Sequence, residues 1–401
     1  MKKVIYVLSL GLSTLMLFGC DKAKDETPTP DPNPTPNKIP VVLSNLTAET
    51  TLTDIFTDDT PDYYVNEDIA IAAKLTIRPG VIIEVAADKK ITFRNNSTLV
   101  ANGEPGAGNI VFRGKTKEPG FWRGIVFETR IEANVLNHVR IAHTGSSSLL
   151  SGKKAALALF GNTATHTAIL TLKNSVVSDN AGYGLFVEEM ARLQEFAGNK
   201  FERNALGGIV TSANQVHKID AATQFTNNGV TDVDVYTSNI EGTGELLWPK
   251  LHYRVTGVNG LIVKGGWKIT PGALLEFADY TQVRVENLAG AYLNAVGTAT
   301  DKIIFTGVKK EKGAWKGISI YSKNDQNKIQ HAKVEYGGNG SINGKKANIY
   351  VLSDNKLTVR DTKISHSSGY GLYLSNAAIF NTDIEQVNEF EQNTQGVSFK
   401  E

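Results

Sequence analysis

Two short polar patterns in this chain combine histidine with neighbouring charged residues. The first contains His138 and Arg140, and the second contains His331, Lys333 and Glu335. An imidazole beside a cation on a rigid strand can bind an anionic sugar or accept a proton from it. We therefore treat these five residues as a candidate ligand face. The alternative is that outward strand positions must be polar and that the two histidines descend from one ancestral copy.

Two tryptophans, Trp122 and Trp315, are each followed by a basic residue and a glycine. An aromatic ring with a nearby cation suits stacking on sugars, so the pair is a candidate aromatic platform. The pattern favours a different role, in which each indole closes a corner over the hydrophobic core.

Four aspartates lie close together, at Asp54, Asp58, Asp59 and Asp62. Clustered carboxylates can bind Ca²⁺, which takes roughly six to eight oxygen ligands. The spacing does not fit an EF-hand loop and favours an acidic, solvated turn. We predict no metal site and no cofactor, with Ca²⁺ at these aspartates as the alternative.

The elements that must position these residues come from a repeated motif. Leu170 to Val187, LTLKNSVVSDNAGYGLFV, recurs at Leu357 to Leu374 with seven of eighteen positions identical. Each copy contains three short β-rich segments separated by Asn, Asp, Ser and Gly, which favour tight turns. This pattern predicts one coil of a β-solenoid. The apolar position of Val177 recurs 24 residues later at Phe201, in the next coil. At roughly 24 residues per coil, the folded chain would contain about fifteen coils.

Further matches show that a unit of several coils is duplicated. The offset is 192 between Leu75–Val85 and Trp267–Phe277, and 193 between Asn137–His143 and Gln330–Tyr336. We predict a first copy with an N-terminal cap over 41–250 and a second copy with a C-terminal cap over 251–401. The caps are assigned to Val41–Asp62 and Ala377–Glu401. Parallel strands of successive coils then form ladders along one axis, with apolar side chains inside. The fold class is all-β.

The N-terminus carries a processing signal. Lys2 and Lys3 precede an apolar run, Val4–Phe18, which is too short to span a bilayer. The run ends at Cys20 in a sequence that resembles a bacterial lipobox. We predict a signal peptide over 1–19 and lipidation of Cys20, with an ordinary secretory signal as the alternative. We expect proline-rich residues 20–40 to form an extended stalk, and we predict an outer membrane lipoprotein that is exposed at the cell surface.

Composition excludes several classes of protein. The 42 basic and 41 acidic residues balance, which argues against binding nucleic acid through bulk charge. Cys20 is the only cysteine, so the chain has no intrachain disulfide and no multi-cysteine metal site. The predicted partners are a membrane, through the lipid anchor, and a polysaccharide or surface protein.

The repeated coils resemble the right-handed parallel β-helix, or pectin-lyase-like fold. They are similar in particular to surface lipoproteins with a Pro-Gly coil, a Trp-basic-Gly-Ile coil and a Gly-Tyr-Gly coil in this order. The resemblance covers about residues 64–210 and 253–374. That family includes lyases, hydrolases, binders and adhesins, so it does not specify an activity. The Gly-Asp-Asp and Gly-His-Gly motifs of polygalacturonases and the Trp-Ile-Asp-His motif of pectate lyases are absent.

Three functions follow from these observations. The first is a non-catalytic, lipid-anchored module that binds a glycan or a partner. The second is a polysaccharide lyase or glycoside hydrolase that acts on an extracellular polysaccharide. The third is a structural spacer. The missing motifs favour the first function, and the sequence assigns no catalytic residue.

Overall fold

The computed structural model describes residues 38–129, 134–163, 166–229, 231–236, 238–257 and 259–401. The predicted signal peptide, Cys20 and most of the stalk lie outside these residues. Residues Ile39–Glu401 form one compact unit. Strand accounts for 48% of the residues and helix for only 2%. The strands stack in long parallel sheets, and the fold is a right-handed parallel β-helix, which confirms the predicted fold class.

Within the described residues, the first copy contains 25 strands, one α-helix and a 3-10 helix over Gly106–Gly108. The strands up to the helix are β1 (Val41–Leu43), β2 (Thr50–Leu52), β3 (Tyr63–Val65), β4 (Ile69–Ile71), β5 (Lys74–Ile77), β6 (Ile82–Val85), β7 (Lys90–Phe93), β8 (Thr98–Asn102), β9 (Ile110–Gly114), β10 (Gly124–Phe127), β11 (Val135–Asn137), β12 (Val139–Ala142), β13 (Ala155–Leu159), β14 (Gly161–Thr163), β15 (His166–Thr167), β16 (Ile169–Lys173), β17 (Val176–Asn180), β18 (Tyr183–Val187), β19 (Arg192–Ala197), β20 (Lys200–Asn204) and β21 (Gly207–Ser212). The helix α1 (Ala213–Val216) is followed by β22 (Gln224–Thr226), β23 (Val233–Tyr236), β24 (Ser238–Ile240) and β25 (Glu245–Trp248).

The second copy contains the remaining described strands. These are β26 (His252–Val255), β27 (Leu261–Val263), β28 (Gly266–Ile269), β29 (Leu274–Phe277), β30 (Val283–Val285), β31 (Tyr292–Val296), β32 (Ile303–Gly307), β33 (Ile318–Ile320), β34 (Lys328–Gln330), β35 (Ala332–Glu335), β36 (Ala347–Val351), β37 (Lys356–Arg360), β38 (Lys363–Ser365), β39 (Tyr370–Leu374), β40 (Ile379–Phe380), β41 (Glu389–Glu391) and β42 (Gly396–Lys400).

The strands stack into five long parallel sheets. Sheet 1 has the order β1-β3-β6-β9-β12-β17-β20-β22, and sheet 3 has the order β19-β16-β11-β8-β5-β2. Sheet 2 runs through both copies in the order β4-β7-β10-β13-β18-β21-β23-β26-β29-β32-β35-β38-β41. Sheet 4 is β24-β27-β30-β33-β36-β39-β42, and sheet 5 is β25-β28-β31-β34-β37-β40. A small antiparallel hairpin, β14-β15, projects between β13 and β16.

The repeated motif forms the coil that its sequence predicts. Its three segments are β16, β17 and β18 in the first copy and β37, β38 and β39 in the second. The 24-residue phase is also confirmed, because Val177 pairs with Phe201 and Leu185 pairs with Ile209. Polar turn residues end each segment, so the chain changes direction at each corner.

The two copies form one continuous solenoid, but equivalent strands lie on different faces. In the first copy the motif contributes β16 to sheet 3, β17 to sheet 1 and β18 to sheet 2. In the second copy the equivalent strands belong to sheets 5, 2 and 4. Sheet 2 therefore receives the last strand of the first motif and the middle strand of the second. The second copy is shifted by one face of the three-sided coil, which the sequence offsets do not reveal.

A column of apolar side chains fills the interior behind sheet 2. In register along the axis, its members are Ile69, Ile91, Ile125, Leu157, Leu185, Ile209, Val233, Tyr253, Leu275, Phe305, Val334, Ile364 and Phe390. All except Phe390 are buried. Sheet 2 contributes 13 strands, so the prediction of about fifteen coils is too high. Long corner loops, such as residues 115–123 and 143–154, lengthen several coils beyond 24 residues.

Both predicted caps are regular outer coils. The N-terminal segment supplies β1 and β2, and the C-terminal segment supplies β40, β41 and β42. Exposed Val41 and Val42 lie on the outermost strand of sheet 1. The terminal coils therefore close the interior by continuing the same stacking rather than by a separate fold.

The glycines of the repeated motif allow close approach inside the sheets, although the sequence suggests turns. Gly184 and Gly371 lie within β18 and β39. A Cβ atom at Gly184 would lie 2.4 Å from the Phe201 ring, and one at Gly371 would lie 2.8 Å from the Phe390 ring. Glycine is needed here because an aromatic ring of the next coil packs against the bare backbone.

An asparagine ladder fixes the corner between sheets 1 and 2 in the first copy. The Asn180 side-chain amide donates to Asn204 Oδ1 at 2.7 Å, and the Asn204 amide donates to Asn228 Oδ1 at 2.9 Å. Asn204 also donates to the Val177 carbonyl at 3.0 Å and is fully buried. These side-chain amides form hydrogen bonds with polar groups of neighbouring coils, so the ladder stabilises the stacking of one coil on the next.

We expect Asn204→Ala to lower the free energy of unfolding by about 2–3 kcal/mol, because it leaves buried donors and acceptors unpaired. Urea unfolding followed by circular dichroism measures the change. Asn102→Ala, at an exposed strand position, is the matched control and should change stability by less than about 0.5 kcal/mol. An equal decrease in the free energy of unfolding in the two variants would show that the ladder contributes no more stability than an exposed asparagine does.

Candidate functional site

The two histidines of the candidate ligand face are corner residues. His138 lies between β11 and β12, and His331 lies between β34 and β35. Their φ angles are 51° and 46°, in the left-handed region that few residues other than glycine adopt. The interpretation of His138 as a strand residue is therefore wrong, because the residue forms the turn between β11 and β12.

The charged members of the candidate ligand face lie on two different sheets. Arg140 is exposed on sheet 1, with a guanidinium nitrogen 3.9 Å from Asp179 Oδ2. Lys333 and Glu335 lie on sheet 2, where they pair in register with Lys363 and Ser365. Along sheet 2, six strands separate β13, which follows β12, from β35. At about 4.8 Å per strand the two coils are about 34 Å apart, so the structure does not bring the two patterns together.

Trp122 and Trp315 do not form an aromatic platform. Both side chains are completely buried. The Trp122 indole N–H donates to the Ala142 carbonyl at 2.8 Å, and the Trp315 indole N–H donates to the Glu335 carbonyl at 2.8 Å. Each ring closes a corner over the core, as the favoured interpretation predicts, and presents no face to a sugar.

The aspartates near the N-terminus have separate structural tasks. Asp62 is completely buried and accepts backbone N–H bonds from Phe56 at 3.0 Å and Ile82 at 2.7 Å. Asp59 pairs with Arg113, and that hydrogen bond lowers the pKa of the Asp59 carboxyl. The segment is therefore only partly the solvated turn that its sequence suggests. Among the described residues, no group of three or more His, Cys, Asp or Glu side chains is arranged to hold a metal ion.

A cleft of about 980 Å³ opens where the first copy ends. We call it the junction cleft. It lies beside the outer face of sheet 2, between the β14-β15 hairpin and α1. Its lining residues are Lys153, Gly161, Thr167, Phe186, Glu188, Glu189, Met190, Arg192, Asn214, Gln215, Tyr236 and Glu241. Its size and mixed apolar and charged lining are typical of a ligand site.

The cleft exists because α1 interrupts the stacking of strands. Sheet 3 ends at β19 and sheet 4 begins at β24, with α1 between them. The Gln215 side-chain oxygen accepts the Leu193 N–H at 3.1 Å, and the Asn214 side-chain oxygen accepts the Glu241 N–H at 2.8 Å. These two side chains join the interrupted coil to its neighbours and form one wall of the cleft.

Glu188 braces the opposite wall. This residue is only 8% exposed. One carboxylate oxygen accepts the Ser151 hydroxyl, and the other accepts the Gly161 N–H at 2.8 Å. The carboxylate thus joins the loop that contains Lys153 to the β14-β15 hairpin.

Apolar and aromatic side chains form the floor of the junction cleft. Phe186 is buried, and it belongs with Tyr183 and Val210 to a cluster outside the main core. Tyr236 packs against this cluster, and its hydroxyl donates to the Val187 carbonyl at 3.1 Å. Burial, followed by the charges of Glu189 and Glu188, raises the pKa of Tyr236. Tyr236 therefore stays neutral, with a fixed ring at the cleft.

A buried polar cluster continues this face of sheet 2 beyond Tyr236. Asp234 is 3% exposed, accepts the Tyr183 hydroxyl and pairs with Arg254. Burial and the hydrogen bond to Asp234 raise the pKa of Tyr183. Asp232, which directly precedes β23, accepts the His252 backbone N–H at 2.9 Å. Because these contacts link β18, β23 and β26, they connect the two copies at the junction.

Sequence reasoning missed both the junction cleft and this cluster. Glu188 and Glu189 directly follow the repeated motif, but the second copy has Ser375 and Asn376 at the equivalent positions. A search for features shared by the two copies therefore discards them. The sequence feature that points to the cleft is the extra segment 211–250, which has no counterpart in the second copy and supplies several residues of the cleft lining.

We expect Asp232→Asn to stabilise the protein at neutral pH. Burial raises the pKa of Asp232 in the folded state. The folded state therefore binds more protons than the unfolded state over this pH range. As a result, the wild-type carboxyl lowers the free energy of unfolding as pH rises through its folded pKa. The asparagine oxygen still accepts the His252 N–H without a charge. Thermal unfolding at several pH values measures the gain, which should shrink as pH falls below the usual carboxyl range.

The control for this variant is Asp325→Asn, whose side chain is 84% exposed. This substitution should show no such gain at neutral pH. A loss of stability in Asp232→Asn at neutral pH would contradict the account of this carboxyl.

No protein family, curated protein or solved structure matches this chain. Across the described ranges, the helices are too short or too polar to cross a membrane.

Proposed function

We propose that this protein is a lipid-anchored, surface-displayed β-helix that binds a glycan in the junction cleft without cleaving it. The observation that carries the proposal is the cleft itself, in which Phe186 and Tyr236 meet charged and amide side chains. Sugars are bound by this combination, because ring faces stack on aromatic groups while hydroxyls need polar partners.

The sequence supports the location that the proposal requires. The apolar run Val4–Phe18 is followed closely by Cys20, and residues 20–40 are the proline-rich segment that is predicted to form a stalk. A lipid at Cys20 holds the chain at a membrane, and the stalk spaces the β-helix from it. The resemblance of the coils to pectin-lyase-like surface lipoproteins supports the same location.

The side chains of the cleft favour binding over catalysis. A glycosidase needs one carboxyl group as acid and a second as base or nucleophile. Both oxygens of Glu188 accept hydrogen bonds from the protein, and Glu241 lies 3.4 Å from the Lys264 ammonium. Of the three glutamates that line the cleft, Glu188 is held by the wall and Glu241 is paired with Lys264. Glu189 therefore has no second carboxyl group beside it that is not already engaged by the protein.

The test uses the secreted Cys20→Ser protein and a panel of neutral, basic and acidic oligosaccharides, with calorimetry for binding and assays for new reducing or unsaturated ends. We expect saturable binding without new ends. Tyr236→Ala should weaken binding roughly tenfold, because it removes the ring at the floor of the cleft.

Tyr280→Ala is the matched control, since Tyr280 is 56% exposed in the second copy and lies outside the cleft. It should bind as the wild type does. New chain ends that disappear in Glu188→Gln would make the protein an enzyme. Binding that survives Tyr236→Ala unchanged would place the site elsewhere.

A further inference from the structure

The first coil of the solenoid, over residues 39–52, leaves the apolar interior partly open. Val41 pairs in register with Tyr63, which is buried behind sheet 1, yet Val41 is 46% exposed. Leu43 and Leu46 pack against the main core and are also only partly buried. Within the described part of the chain, this end of the interior is therefore not covered completely.

The edge of sheet 1 at this end can accept a further strand. β1 is the outermost strand of the sheet, and the Val41 N–H donates to the Asp62 carbonyl at 2.8 Å, on the side of β3. Successive residues of a strand direct their backbone groups to opposite sides, so those of Val42 face the open edge. The Val42 side chain is 58% exposed. An exposed apolar strand edge is a template for pairing with another chain.

The two ends of the solenoid differ in charge. Residues 39–48 contain no charged side chain, and Glu49, the next residue, lies 2.9 Å from the Lys74 ammonium. Residues 381–401, in contrast, contain five carboxylate side chains and one lysine. Ile384, between β40 and β41, is buried in the main core near that end. The first coil, unlike the last, therefore has an edge without the charges that discourage pairing.

A second copy of this chain suits the first coil better than the stalk or a lipid surface does. Residues 20–37 contain no aliphatic residue larger than alanine and no aromatic residue apart from five prolines that lack the N–H of a paired strand. Hydrocarbon covers apolar side chains but cannot satisfy the backbone groups of an open edge. A second first coil supplies both the backbone partners and matching apolar side chains.

We infer that two copies of this chain associate through their first coils, with β1 of one copy antiparallel to β1 of the other. A two-fold axis at Val42 lets the two Val42 residues exchange N–H···O=C bonds and brings the open ends of the two cores together. Both stalks then leave from one interface, so both proposed lipid anchors can reach the same membrane. This association is separate from glycan binding in the junction cleft.

The expected dimer is weak. One coil end is a small surface compared with a standard interface of about 1,600 Å², so we expect a dissociation constant on the order of tens of micromolar. Sedimentation velocity of the secreted Cys20→Ser protein, at concentrations on either side of this value, should show a monomer–dimer equilibrium. Val42→Lys should weaken the association roughly tenfold or more, because two like charges then face each other across the paired strands.

Val397→Lys is the matched control, since Val397 is 40% exposed on β42, the outermost strand of sheet 4 at the opposite end. It should associate as the Cys20→Ser protein does, and both variants should keep its thermal unfolding temperature. A monomer at every concentration would overturn the inference, and dimers that survive Val42→Lys would do the same.

Cysteine variants in the Cys20→Ser background test the symmetry of the dimer. Val42→Cys should cross-link to itself with a short bis-maleimide, whereas Val397→Cys should not. Cross-links that form only when the two variants are mixed would show head-to-tail stacking and overturn the symmetric pair. Monomer binding to phosphatidylethanolamine–phosphatidylglycerol vesicles that Val42→Lys abolishes would also overturn it, because a membrane would then cover the first coil.

Discussion

The structure depends on the parallel pairing of sheet 2, the one sheet of the described chain that runs through both copies. Thirteen strands keep their register along it, and the inward column from Ile69 to Phe390 continues behind them. Backbone hydrogen bonds fix the spacing, and the column supplies apolar burial at each step. At the junction, the other long sheets end or begin while this column continues without interruption.

The junction shows what this constraint permits. Sheets 1 and 3 end and sheets 4 and 5 begin within a few coils, while Ile209, Val233 and Tyr253 keep the column intact. The duplicated unit then restarts one face further around the coil. The helix α1 occupies the place of a strand in this transition, and the space beside it becomes the junction cleft. The candidate site is thus a consequence of joining two copies rather than a feature of either copy.

The sequence predicts the repeating part of this protein well and its exceptions poorly. The motif from Leu170 to Val187 fixes strand positions and the register to Phe201, because turn residues and apolar alternation are local signals. The tryptophans at corners also follow from such patterns. The turn formed by His138 does not, since its left-handed backbone is set by the coil on either side. A search for repeats does not find Glu188 and Tyr236, because the second copy has Ser375 at the position equivalent to Glu188 and Tyr236 lies in the extra segment 211–250. The two residues come close only through the stacking of β18, β21 and β23.

The most direct test of the account is hydrogen–deuterium exchange of the secreted Cys20→Ser protein with and without the oligosaccharide of the calorimetry panel that binds most tightly. The account predicts that the ligand slows exchange in the segments around Lys153, Glu189 and Tyr236, with no change around His138 or Lys333. Slower exchange confined to the coils of His138 and Arg140, or of Lys333 and Glu335, would contradict it and return the site to the outer face that the sequence first suggested.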